Sequence, residues 1–221
     1  MPRSIAIDGP AGAGKSTIAK KVSSELGFIY LDTGAMYRTV ALKAIRSQID
    51  TMDHIGLAQL MEHLDIAISY DSNVQRIYLD GRDVSEDIRT AEVSAGASNV
   101  AVFPEVRLKM VELQRKIASG KDVVMDGRDI GSYVLPHADL KIFLTASVDE
   151  RARRRCQELL KKGQAAVFEE VREDMVHRDK NDSSRAFAPL KKVPDAIEID
   201  STVLSIDEVV EKILYFYKNV M

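Results

Sequence analysis

Gly9-Pro10-Ala11-Gly12-Ala13-Gly14-Lys15-Ser16 has the spacing G-x-x-x-x-G-K-[ST], the pattern of a loop that wraps phosphate. The glycines let successive backbone N–H groups turn inward toward an anion. A helix opening at Lys15 directs its positive end at the same spot. Lys15 supplies a mobile charge for the β- and γ-phosphates of ATP, and the Ser16 hydroxyl is a candidate Mg²⁺ ligand. At ordinary residue frequencies the match arises by chance in roughly 1% of chains this long. The flanking residues strengthen it further, because an apolar run ends at Asp8 and an amphipathic segment, Lys15 to Leu26 with Thr17 in its first turn, follows. Residues 9–17 therefore read as the donor-nucleotide site.

A phosphate loop does not name an acceptor. A GTPase switch needs a base-reading N-K-x-D, which the sequence lacks. Asp53-His54-Ile55-Gly56 matches D-x-x-G by letter, but no strand-like run precedes it. A DNA-dependent motor needs a basic face and stacking aromatics; here Trp is absent and aromatics are 6%. A small-molecule kinase remains, and it has a specific requirement. Two anionic phosphates must approach within reaction distance, so several positive donors must offset their repulsion. Arginines stand where such donors are needed. Arg38 follows Asp32-Thr33-Gly34, and Arg128 and Asp129 close Asp126-Gly127-Arg128-Asp129. Arg151, Arg154 and Arg155 share one face of a basic helical stretch, and Arg178 and Arg185 flank Asp179 and Asp182. An isolated arginine is ordinarily a solvated surface charge, the reading given to Arg153 and Arg172. On these grounds alone, kinases for CMP, UMP, AMP or a shikimate-like acceptor stay open, as does a non-catalytic nucleotide binder.

The elements that must position these residues are legible as well. Five short apolar runs, Ser4–Ile7, Phe28–Leu31, Asp122–Met125, Lys141–Thr145 and Ala196–Ile199, read as strands covered on both faces. Helical patterns separate them. One spans Lys15 to Leu26 and ends at Gly27. Another opens at Pro104, repeats at Val106, Met110, Leu113 and Ile117, and stops at Gly120. The last opens with the capping box Ser205-x-x-Glu208 and turns Ile206, Val209, Ile213 and Tyr217 inward. The alternation predicts an α/β fold with a five-stranded parallel sheet flanked by helices. Ile66–Tyr70 and Arg76–Leu79, joined by Asp71-Ser72-Asn73-Val74, predict an inserted antiparallel hairpin. Asp149–Gly163 is a basic helical segment suited to a mobile cover.

Composition sets the class. The chain has 221 residues, 45% hydrophobic and 29% charged, with a formal charge of −3, so no global field holds a nucleic acid. Lone Cys156 allows no internal disulfide. His54, His63, His137 and His177 show no ligand spacing, so a metal held wholly by protein is not expected. No run approaches the roughly 20 apolar residues of a membrane span, and the apolar start is too short for a signal peptide. A cytoplasmic protein without a membrane or nucleic-acid partner is the expectation.

Over essentially its whole length the sequence resembles the bacterial-type cytidylate kinases. The resemblance rests on IAIDGPAGAGKST, on LDTGAMYR (Leu31–Arg38), and on IRTAEVSAGASNVA followed by FPEVR (Ile88–Arg107). It continues through DGRDIG (Asp126–Gly131), KIFLTAS with ERARRR, RDKNDSSRAFAPL (Arg178–Leu190) and IDSTVLSIDEVV. It implies ATP as donor with Mg²⁺, and CMP and dCMP as acceptors. It also implies a single P-loop kinase domain, expected as a monomer. The core would comprise about 1–36, 100–148 and 190–221, the monophosphate-binding subdomain about 37–99, and the lid about 149–165. By the motif match, Ser98, Arg107 and Asp129 meet the cytosine base. Arg38, Arg128 and Arg185 grip the acceptor phosphate, with Thr33 and Tyr37 lining its approach. Position 33 is Thr where Ser is common, and the hydroxyl survives. Arg178 and Asp182 meet the sugar, and Arg154 bridges the transferring phosphoryl. Lys15, Arg128, Arg154 and Arg185 form the implied catalytic set.

Overall fold

The structure is a computed structural model that describes residues 2–71, 74–161 and 163–220. The chain forms two compact units, residues 1–28 with 122–221, and residues 29–121. The turn expected at Ser72-Asn73 lies outside the described residues, as does Lys162 of the basic segment.

In the first unit β1 (Ser4–Asp8) lies between β6 (Val123–Gly127) and β7 (Leu140–Thr145), parallel to both, and β8 (Ile197–Asp200) runs parallel to β7. With β2 (Ile29–Asp32) the sheet has the order β2-β6-β1-β7-β8. Ile5, Ala6, Ile7, Val124 and Leu144 are fully buried, which explains why these strands read as unbroken apolar runs. Register sets Asp8 beside Gly127, so β1 and β6 deliver their next residues to the same end of the sheet. In open α/β sheets that carboxyl end is where ligands bind.

Helix α1 (Lys15–Leu26) buries Ile18 and Val22 and stops at Gly27, φ 68°, whose left-handed backbone returns the Phe28 N–H to the Ser23 carbonyl. Phe28 then meets Tyr217 of α8 (Ile206–Val220) edge to face, with ring centroids 5.8 Å apart. At the start of α8, Ser205 and Glu208 cap reciprocally, as expected. Val209, Ile213 and Tyr217 are buried, but Ile206 is 46% exposed. It occupies the first helical turn, before the inward stripe begins. Helices α6 (Val148–Lys161) and α7 (Phe168–Ser184) complete this unit. α7 was not foreseen. Met175 is its one fully buried residue among those described, so the segment has no apolar period to read.

In the second unit Asp32 ends β2 and caps α2 (Thr33–Arg46), accepting from the Ala35 N–H at 2.8 Å. Asp32-Thr33-Gly34 is therefore the first turn of a helix and not a free loop. Asp53 likewise caps α3 (His54–Glu62), accepting from the Ile55 and Gly56 N–H groups. That accounts for the D-x-x-G letters without a nucleotide switch. The expected hairpin is β3 (Ile66–Asp71) against β4 (Val74–Leu79), Ile66 facing Leu79. A third strand, β5 (Arg82–Asp83), extends it after Asp80-Gly81, where φ is 50° and 76°. Helix α4 (Ala91–Val100) packs on α2, and a Cβ on Gly96 would come within 3.2 Å of the Ala41 methyl. Helix α5 (Pro104–Ala118) buries Val106 and Met110 as expected. Arg107 and Gln114 share that buried stripe, in place of the expected Leu113 and Ile117.

Candidate active site

The glycine-rich loop leaves β1 and enters α1. Gly9 sits at φ 152°, and a Cβ there would lie 1.9 Å from the Leu144 carbonyl oxygen of β7, so only glycine fits. Gly14, φ 91°, turns the chain into the helix. Lys15 is buried, and its ammonium donates to the Pro10 carbonyl at 2.7 Å, lying back along the loop it serves. Burial lowers its pKa to about 7; Arg128 pushes in the same direction, while Asp126, Asp182 and Asp8 oppose it. The Ser16 hydroxyl donates to Asp126 Oδ2 at 2.8 Å. A hydroxyl and a carboxylate so placed suit a hard cation such as Mg²⁺. Among the described residues no cluster of three acidic, His or Cys side chains could hold a metal alone.

The segment after β6 carries a second group of charges. Asp8, at the end of β1, accepts from the Ile130 and Gly131 N–H groups at 2.8 and 2.7 Å and fixes the backbone just after Asp129. Burial raises the Asp8 pKa to about 6, with those two N–H groups working against the shift. Arg128 Nε donates to Asp182 Oδ2 of α7 at 2.6 Å. Arg185, just past α7, reaches Asp182 Oδ1 at 3.4 Å and lies 4.0 Å from Asp129 Oδ1, while its Nε donates to the Ala188 carbonyl. Two guanidiniums thus share one carboxylate. Burial works against the charge on Arg128, but Asp182 more than offsets it and holds the pKa above the usual value. The same attraction, outweighing burial, holds Asp182 below the usual carboxylate range. Arg178 lies within 3.8 Å of Asp174 on α7.

The three arginines expected on one face of α6 separate. Arg154 donates to Glu150, to the Ser201 hydroxyl at 3.1 Å and to the Ser201 carbonyl at 2.6 Å. Arg155 pairs with Glu158. Arg151, whose sequence reading gave it no separate role, turns inward to Ala11, Ala146 and Asp179. Arg153 and Arg172 bond to Glu150 and Asp149 at the surface.

In the second unit Arg38 donates to Asp32 Oδ2 at 3.0 Å, so one carboxylate caps α2 and orients this arginine. The backbone N–H of Asp32 donates to Gln75 Oε1 of β4 at 2.8 Å. Thr33 is buried in the first turn of α2, and Ser98 is half-buried on α4. Arg107 is 1% exposed, donates to the Ala101 carbonyl at 3.2 Å, and lies 5.5 Å from the centroid of the Tyr37 ring.

The first unit thus brings together Lys15, Ser16, Arg128, Asp129, Asp182 and Arg185. The second gathers Tyr37 with Arg107, and Arg38 with Asp32. Asp8 was absent from the expected residues; Asp126 stood there only within Asp126-Gly127-Arg128-Asp129, and Arg151 only with the other arginines of the basic helix. Arg151 carried no signal beyond the basic helix, because a buried arginine and an exposed one look alike in sequence.

A family model described as cytidylate kinase matches residues 5–219. The chain is 51% identical to a cytidylate kinase of Caldicellulosiruptor bescii, covering 98% of this chain and 96% of that one. It is 53% identical to a cytidylate kinase of Clostridioides difficile, covering 95% of each. Among solved structures, shikimate kinase from Bacteroides thetaiotaomicron shares the fold, with a TM-score of 0.50, 14% identity and 98% coverage of both chains.

Proposed function

Because the chain belongs to the cytidylate kinase family, we propose that it transfers the γ-phosphoryl group of ATP to CMP, giving ADP and CDP. The observation that carries this reading is the buried Lys15 loop lying in one unit with a carboxylate that two guanidiniums share. The transfer needs no general base, since the attacking phosphate oxygen is largely ionised at neutral pH. The residues therefore act by position and charge. Lys15 and the N–H groups of residues 9–17 hold the donor phosphates. Arg38, Arg128 and Arg185 hold the acceptor phosphate, Thr33 and Tyr37 line its approach, and Arg154 meets the moving phosphoryl. Arg178 and Asp182 meet the sugar, and dCMP is accepted beside CMP. Ser16, with Asp126, would hold Mg²⁺, which when bound neutralises charge on the phosphates.

Ser98, Arg107 and Asp129 read the base. Cytosine offers an amino donor beside N3 and O2 acceptors, matching a carboxylate, a guanidinium and a hydroxyl. Uracil sets a carbonyl against Asp129, and each mispaired buried group costs about 1–3 kcal/mol. Residues 37–99 serve as the monophosphate-binding part and 149–165 as the lid, in a monomer of the cytoplasm. Among the described residues no helix is long and apolar enough to cross a membrane. Incubation with ATP, Mg²⁺ and each of CMP, dCMP, UMP and AMP tests the proposal directly. CMP and dCMP should yield ADP fastest; a folded protein that turns over none of the four overturns it.

A further inference from the structure

Among the described residues Arg151 is the most enclosed cation not given a role above, its side chain 4% exposed. The guanidinium faces three elements. Nε donates to the Ala146 carbonyl after β7 at 2.9 Å, Nη1 donates to the Ala11 carbonyl of the donor loop at 3.0 Å, and Nη2 pairs with Asp179 Oδ2 of α7 at 2.7 Å. A planar fork of donors meets three acceptors in three directions, which a lysine cannot do. The contact with the loop is close. A Cβ on Gly12, φ +75°, would lie 2.9 Å from Met175 Cε of α7 and 3.2 Å from Arg151 Cβ, so α6 and α7 press directly on the loop. Asp182 lies three residues beyond Asp179 on α7, and it holds Arg128 and Arg185.

We propose that Arg151 is a positioning residue that couples the two phosphate sites, so that filling the donor loop tightens the grip on the acceptor. The path runs from the Ala11 carbonyl through Arg151 to Asp179, and along less than one turn of α7 to Asp182 and its two arginines. The inference rests on the assignment of residues 9–17 to the donor and of Arg128 and Arg185 to the acceptor. A residue that merely braced α6 would alter stability and leave the sites independent.

The test is calorimetric titration of CMP into the full chain, with and without a saturating non-hydrolysable ATP analogue and Mg²⁺. In the parent protein the analogue should lower the CMP Kd by about fivefold or more. In Arg151→Lys, and separately in Asp179→Asn, which keeps the shape of the acceptor without its charge, the two Kd values should agree within about twofold. Circular dichroism identifies the folded variants. A parent whose Kd ignores the analogue, or a folded variant that keeps the parent's ratio, overturns the coupling. A parent that binds the analogue but no CMP overturns the acceptor assignment, and the coupling with it.

Discussion

Lys15 holds its charge weakly before phosphate arrives, because burial and the neighbouring Arg128 bring its pKa to about 7. Triphosphate oxygens favour the charged form, so ATP binding above pH 7 should take up a proton. Calorimetry at pH 8 in buffers of different ionisation enthalpy should register that uptake, and Lys15→Met should abolish it. The sign for folding is opposite in sense to that of an ion-paired lysine. The unfolded chain keeps this proton up to the ordinary value of 10.5, the native chain only to about 7, so this group makes stability rise with pH across that window. Turnover of Lys15→Met should fall about a hundredfold or more, the scale on which a charge aimed at a transition state acts. Asp129→Ala should erode the preference for CMP over UMP, read as the ratio of kcat/KM values; an unchanged ratio would remove Asp129 from base recognition. At this scale the glycine-rich turn into α1 was legible because it is carried by a fixed local spacing. Arg151 was not, because its partners Ala11 and Asp179 are distant in sequence on either side.

Burial imposes a period that made some elements legible and left others unread. The five strands of the parallel sheet and α1, α5 and α8 begin and end within three residues of the expected positions. Helix α7 escaped because charge covers it, and α2, α3 and α4 were not assigned, α2 in part because Thr33-Gly34 has the composition of a turn until Asp32 caps it. Strand β5 is two residues long, but the Asp80-Gly81 pair before it was a usable hairpin signal. The capping box of α8 makes a stability prediction. Ser205→Ala should lower unfolding free energy by about 1 kcal/mol in thermal or denaturant melts, with turnover unchanged, since the site lies elsewhere. Gly9→Ala should behave differently, since its methyl would overlap the Leu144 carbonyl; nucleotide binding should be lost along with stability.

For the molecule as a whole, a formal charge of −3 leaves anion binding to local concentrations of arginine and lysine. Binding energy then appears as resistance to unfolding. CMP at a hundred times its Kd should raise stability by about 2.7 kcal/mol, measured as a shift in denaturation midpoint, and UMP at the same concentration should raise it less. The ion-paired Asp182 shapes how that ligand enters and leaves. Its carboxylate already pairs with Arg128 and Arg185, so a phosphate bound there as proposed would compete with a resident anion. The same carboxylate is ready to re-engage both guanidiniums as the product departs. Part of the attraction for a phosphate bound there would be cancelled in advance, which would favour quick exchange over tight retention and keep a diphosphate product from becoming a trap.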